Sequence, residues 1–157
     1  MEPEIRTIDP MPVLFVRRTG PYGEAAAEAF AALCDFAGPF GLLGPTSRLL
    51  GISHDNPTIT DPSQLRFDAC VTVEREVRAV RLSGQAGLKT VAGGRYAVFL
   101  HVGAYDSLPQ TYDEILNSWL PASQEQRREE PCFELYLNSP DEAKANDLRT
   151  EIWLPIQ

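Results

Sequence analysis

The stretch Tyr96-Ala97-Val98-Phe99-Leu100-His101-Val102-Gly103-Ala104-Tyr105 is an apolar run rich in aromatic and β-branched residues, broken by Gly-x-Tyr. Val13-Leu14-Phe15-Val16-Arg17-Arg18-Thr19-Gly20-Pro21-Tyr22 has the same form 83 residues earlier. Such runs, closed by a glycine, read as strands entering a turn. The offset persists along the chain. Leu65-Arg66-Phe67-Asp68 is answered by Leu148-Arg149-Thr150-Glu151, Pro57 by Pro140, Leu33 by Leu116 and Phe36 by Trp119. Raw identity between the halves is low. Punctuation and apolar pattern nevertheless coincide at one offset without a gap, which marks a duplicated supersecondary unit.

Each half then reads strand, helix, strand, strand. In the first, Glu24 to Ala37 carries Ala26, Phe30, Leu33 and Ala37 on one face of an amphipathic helix. In the second, Leu108, Tyr112, Ile115, Leu116 and Trp119 form the matching stripe, with Pro121 as its expected end. Leu50 to Ser53 matches Cys132 to Leu137, and Leu65 to Glu74 matches Leu148 to Ile156. Phe67, Ala69, Val71 and Val73 alternate with Arg66, Asp68, Cys70 and Thr72, so that strand has two different faces. Val77 to Leu82 and Leu88 to Val91, flanking Ser83-Gly84-Gln85-Ala86-Gly87, read as a connecting hairpin or strand pair. Short connections favour antiparallel pairing. The expectation is an α+β fold of mainly antiparallel sheets, with residues 1–157 as a single domain. Repeat one spans about 5–75, the hairpin about 76–92 and repeat two about 93–157.

Composition narrows the function. The 157 residues are 43% hydrophobic, enough for a packed core without disulfide or metal. The net charge of -8 speaks against a phosphate-binding surface, so no direct nucleic-acid contact is expected. The segment Met1 to Pro12 lacks the apolar core of a signal peptide, and no run approaches a membrane span. A cytoplasmic location, with no membrane partner, follows as the expectation. Cys34, Cys70 and Cys132 are too scattered for a zinc site and read as buried reduced thiols; no metal and no cofactor are expected. Ser53-His54-Asp55 is not a triad, because adjacent residues on an extended segment do not converge.

The halves differ at one chemically important place. Glu134 stands where the first repeat has Gly51. In Cys132-Phe133-Glu134-Leu135-Tyr136-Leu137 the residues Phe133, Leu135 and Leu137 alternate as a core face, and Glu134 points the other way with Cys132 and Tyr136. One reading is an exposed strand face, or an ion pair to Arg149 or Arg95. The other is a pocket carboxylate beside aromatic rings, suited to a lipophilic cation or, with a raised pKa, to general-base work. Tyr22 and Tyr105 either line a groove or lock a turn. The helix stripe with Tyr112 and Trp119 reads first as core.

Several stretches together resemble the GyrI-like small-molecule-binding family, the fold of effector-binding domains in multidrug regulators of the AraC and MerR types. They are residues 16–22, 92–105, Tyr112-Asp113-Glu114-Ile115-Leu116 leading into Trp119-Leu120-Pro121, Pro131 to Asn138 and Leu148 to Ile156. The resemblance implies tandem strand-helix-strand-strand (SHS2) modules with a ligand cleft between the halves, and an acidic residue there that falls on Glu134. Strand-face reasoning adds Tyr136, Tyr105, Tyr96, Trp119, Phe67 and Tyr22 as ligand-binding candidates. The second Gly-Pro-Tyr is Gly-Ala-Tyr here, and Ala122-Ser123-Gln124-Glu125 replaces the family's usual small-residue turn.

Three functions follow. The first is a stand-alone effector-binding module for a hydrophobic, cationic small molecule. The second is a hydrolase of electrophilic small molecules with Glu134 as general base and Tyr136 or Tyr105 as proton donor. The third is a protein-interaction role, with gyrase or a regulator as partner.

Overall fold

The computed structural model describes residues 1–74 and 86–157. In chain order the strands are β1 (Glu4–Ile8), β2 (Met11–Thr19), β3 (Leu49–Ser53), β4 (Arg66–Thr72), β5 (Ala86–Val91), β6 (Gly94–Val102), β7 (Phe133–Tyr136) and β8 (Arg149–Pro155). Helix α1 (Tyr22–Ala37) follows β2. Helix α2 (Leu108–Glu114) follows β6 and runs through a π-helical turn, Ile115–Trp119, into a last turn, Leu120–Ala122. The chain divides into two compact units. The first is Asp9–Gly93; the second is Gly94–Gln157 together with Met1–Ile8. The first carries strands in the order β3-β4-β2-β5 and the second β7-β8-β6-β1, with every pairing inside each unit antiparallel. The class is α+β, as expected.

The duplication is visible in hydrogen bonds as well as in pattern. An offset of 83 carries β2 onto β6 and β4 onto β8 end for end. The amide N–H of Gly20 donates to the Leu65 carbonyl, and that of Gly103 to the Leu148 carbonyl, each at 2.8 Å. The Arg66 amide donates to Asp55 Oδ2 at 2.9 Å, and the Arg149 amide to Asn138 Oδ1 at 2.8 Å. Gly20 and Gly103 both have φ in the left-handed region, +146° and +138°. Around Gly20 an added Cβ meets nothing within 4 Å. Gly20→Ala therefore isolates the backbone cost and is expected to destabilise by about 1 kcal/mol or more. A urea midpoint equal to wild type would show that the turn relaxes freely.

One feature of the pairing departs from the expected repeat boundaries. β5 lies on β2, from Met11 opposite Val91 to Val16 opposite Ala86. β1 lies on β6, from Ile8 opposite Gly94 to Glu4 opposite Val98. β1 and β5 are themselves related by the offset of 83, so each repeat's leading strand completes the other repeat's sheet. Residues 75–85, where much of the connecting hairpin was expected, lie outside the described residues, and Leu88–Val91 belongs to β5. The exchange carries ion pairs with it. Lys89 on β5 bonds Asp68 on β4, and Arg6 on β1 bonds Glu151 on β8 at 3.2 Å. These pairs also stand at the repeat offset.

Each helix covers one face of its sheet. In α1, Ala25, Ala29, Leu33 and Ala37 are buried against Leu14, Val16, Phe67, Ala69 and Val71. Ala26 and Phe30 flank this line rather than forming its centre, because small alanines let the helix settle close to the sheet. In the second unit Leu108 and Ile115, with Tyr112, Leu116 and Trp119, pack on Ala97, Phe99, Ile152, Leu154 and Ile156. Pro121 lies inside the last turn, and the helix ends one residue beyond it, at Ala122. A proline ring clashes with the carbonyl four residues back in a regular α-helix. The wider π turn before it relieves that clash. Among the cysteines, Cys70 is buried as expected, with its thiol pushed up to about 12 by burial, while Cys34 is exposed and Cys132 half-buried.

Candidate functional site

β7 alternates its side chains between the two faces of the second unit's sheet. Glu134 stands opposite Ile152, which stands opposite Phe99; Tyr136 stands opposite Thr150, which stands opposite His101. Both rows face the helix. Phe133 is on the other side, stacked on Trp153 at 5.2 Å with Tyr96 edge-on at 5.4 Å. A glutamate has thus been placed between a sheet and its covering helix.

Glu134 is 7% exposed, and each of its oxygens takes one phenol proton. Tyr112 Oη donates to Oε2 at 2.8 Å and Tyr136 Oη to Oε1 at 2.9 Å. The Tyr105 ring meets Tyr136 edge-on at 5.8 Å. All three tyrosines are half-buried, so the carboxylate lies beneath an aromatic cover. Burial drives the Glu134 pKa upward; the two phenol bonds and His101 pull the other way without cancelling it. Burial and the neighbouring carboxylate hold the Tyr112 hydroxyl well above its ordinary range, so it remains a proton donor. His101 is buried, its Nδ1 2.8 Å from Thr111 Oγ1 and its Nε2 3.1 Å from both Ser107 Oγ and the Ala104 carbonyl.

The first unit provides a contrast. Asp68 is fully buried too, but Arg17 holds it bidentately at 2.7 and 3.0 Å, His54 Nε2 lies at 2.7 Å, and Lys89 closes the cluster. Burial alone raises this carboxyl; the bonds from His54, Arg17 and Lys89 more than offset it and hold the group far below the usual range. Among the described residues no salt bridge reaches Glu134. Arg95 is taken by Glu125 at 3.2 Å. Among the described residues two carboxylates are buried. Asp68 is held by Arg17, His54 and Lys89; the hydrogen bonds to Glu134 come from the Tyr112 and Tyr136 hydroxyls.

The other candidates are scattered. Trp119 is on the helix side of the second unit, edge-on to Phe99 at 5.0 Å. Tyr96 is on the opposite face of the sheet, with the Arg128 guanidinium 5.0 Å from its ring centre. Phe67 is core of the first unit, against Phe30 and Tyr22. Tyr22 locks a turn: its hydroxyl donates to the Asp55 carbonyl at 2.5 Å and accepts from the Asp55 amide at 2.9 Å. His54 and Asp55 serve different partners, Asp68 and Arg66, so no triad forms. Tyr112 was read as core and is a direct partner of Glu134. The available signal was a phenol on the buried stripe of a helix whose sheet carries a mid-strand glutamate. An open depression of about 390 Å³ is lined by Met1, Glu114, Ser118 and Trp119, not by Glu134. Among the described residues no group of three metal-ligating side chains converges, and no helix is long and apolar enough to cross a membrane.

The model of the GyrI-like small molecule binding domain matches residues 1–157. The chain belongs to the GyrI-like family. A relative named probable transcriptional regulator YgiV, from Escherichia coli K12, is 36% identical over 110 residues, 70% of this chain and 68% of its own. A relative named DNA gyrase inhibitor, from Erwinia billingiae, is 28% identical over 138 residues, 87% of this chain and 85% of its own. The crystal structure of the EcmrR C-terminal domain superposes with a TM-score of 0.80 at 15% identity, covering 99% of this chain and 97% of that one. SAV2435 bound to tetraphenylphosphonium superposes with a TM-score of 0.64 at 19% identity, covering 100% of this chain and 94% of that one. This GyrI-like chain is thus a small-molecule binding domain, with the same fold as the EcmrR C-terminal domain.

Proposed function

We propose that this GyrI-like domain binds a hydrophobic cation, with the Glu134 carboxylate as counter-charge and Tyr105, Tyr112 and Tyr136 as its aromatic surround. One observation carries the reading: Glu134 is buried, yet no basic residue pairs with it among the described residues. A buried charge left to hydroxyls alone is costly, and an apolar cation supplies the missing partner while filling apolar surroundings. Ring faces add attraction that strengthens where water is excluded. The lipophilic cation carried by SAV2435 on the same fold supports the same ligand class.

The test is the pH dependence of calorimetric binding by tetraphenylphosphonium and by neutral triphenylphosphine oxide, from about pH 4 to 8. Both probes keep their charge across that range, so only the protein titrates. Because burial raises the Glu134 pKa, the carboxyl takes up its proton at a higher pH than an ordinary glutamate. Affinity for the phosphonium is expected to be full above that raised value and to fall as pH falls through it. The oxide should show no such slope. Glu134→Gln over the same range is the control: any slope that survives in it belongs to another group. Equal affinities for the two probes, or a flat phosphonium profile, would overturn the assignment.

A further inference from the structure

Thr150 lies in the middle of β8, between Tyr136 and His101, and shares the helix-side face with Glu134. Its side chain is fully buried, and its hydroxyl has no hydrogen-bond partner among the described residues. The neighbouring groups are already committed. His101 is bonded through both ring nitrogens, to Thr111, Ser107 and the Ala104 carbonyl, and the Tyr136 hydroxyl donates to Glu134. Buried hydroxyls are nearly always bonded, so an orphan needs a reason. The repeat gives a reference. The position equivalent to Thr150 is Phe67, which packs in the apolar core of the first unit, and the position equivalent to Glu134 is Gly51. At these two positions the second repeat has therefore placed a hydroxyl and a carboxylate where the first has an apolar ring and no side chain. Threonine in place of phenylalanine also occupies less space beside the carboxylate.

We propose that Thr150 is the second polar anchor for the ligand: its hydroxyl accepts a hydrogen bond from an N–H of the cation whose charge Glu134 takes. This rests on the cation reading of Glu134 and narrows it. The favoured ligand is a protonated amine on an apolar scaffold, which keeps an N–H, in preference to a fully alkylated ammonium or phosphonium. Thr150 and Glu134 are diagonal neighbours across β7 and β8, roughly 7–8 Å apart at Cα. One nitrogen bridging a hydroxyl and a carboxylate asks for oxygens about 5 Å apart, within reach of the longer glutamate.

The experiment is calorimetry with 4-phenylbutylamine and its N-methyl, N,N-dimethyl and N,N,N-trimethyl forms. Wild type is expected to bind the three N–H forms about tenfold more tightly than the trimethyl form. In Thr150→Val, which keeps the shape and removes the hydroxyl, that step should shrink below about twofold with trimethyl binding unchanged. Thr150→Ser should keep the step, and thermal unfolding of both variants controls for folding. Glu134→Gln should weaken all four forms together. A step that survives in Thr150→Val, or is absent from wild type, overturns the role of Thr150; the Glu134 reading then stands if Glu134→Gln still weakens the series. If Glu134→Gln leaves all four unchanged, or wild type binds none, both fall.

Discussion

Asp68→Asn is expected to lower the stability of the fold by about 3–5 kcal/mol, the range for removing one member of a buried, hydrogen-bonded ion cluster. The carboxylate accepts from Arg17, His54 and Lys89, and none of its surface reaches solvent. An amide offers one acceptor and turns its NH₂ toward donors, leaving positive charge in a partly buried site without a counter-ion. The pH dependence has a definite sign. Asp68 is held below its ordinary value of 3.8, so its stabilisation is present above that value and is lost as pH falls through the folded pKa. Urea unfolding at neutral pH checks the magnitude. A loss under about 1 kcal/mol would mean that the cluster behaves as an exposed ion pair. Asp55→Asn is the control. Asn138 makes the equivalent bond in the other repeat, so that change should be close to neutral.

Glu134→Gln is expected to move binding and stability in opposite directions. Removing the counter-charge from a desolvated cation costs about 2–5 kcal/mol, roughly thirtyfold or more in affinity for tetraphenylphosphonium. Neutral triphenylphosphine oxide should be nearly unaffected. Without ligand, the variant should be the more stable protein at neutral pH. The folded carboxyl holds its proton more tightly than the unfolded one, so its favourable contribution is complete below the ordinary value of 4.5 and is lost as pH rises through the raised folded pKa. Glutamine never makes that ionisation. Thermal midpoints at neutral and at acid pH, without ligand, should show an advantage for the variant that disappears on acidification. A variant that binds the phosphonium as wild type does, or that is less stable at neutral pH, would remove the basis for treating Glu134 as a strained ligand group.

Much of this was legible in the chain. The duplication came from Gly-x-Tyr punctuation, and it predicts β2, β4, β6 and β8 to within a few residues, because strands with one apolar face keep a period of two. Glu134 stood out because its neighbours alternate as core and its repeat partner is glycine. What escaped depends on long-range pairing. β1, reading Glu-Ile-Arg-Thr-Ile, is short and mostly polar or exposed, and only its bonds to β6 make it a strand. Tyr112 belongs to an ordinary helix stripe until the register of β7 brings a carboxylate beneath it. In the sequence Asp68 only shares an alternating strand face with Arg66, Cys70 and Thr72; in the fold it is buried where Arg17, His54 and Lys89 meet. No local pattern states that these four residues converge. Strand-face reasoning puts Tyr96 and Glu134 on one lining, but the register of β6, β8 and β7 aligns Glu134 with Phe99 and leaves Tyr96 on the opposite face.

The traded leading strands bear on how the polypeptide is made. The first unit, Asp9–Gly93, has all its described strands once residue 93 has left the ribosome. Met1–Ile8 emerges before that unit, yet its hydrogen-bonding partner β6 does not exist until residues 94–102 are synthesised. A nascent chain arrested between those points carries a finished module with an unmated tail, and unmated strand edges invite pairing with other chains. No single scission can parcel this polypeptide into two whole modules. A cut after residue 93 strands Met1–Ile8 on the wrong fragment, so the halves of the gene cannot be expressed apart without each product losing or retaining something that belongs to the other.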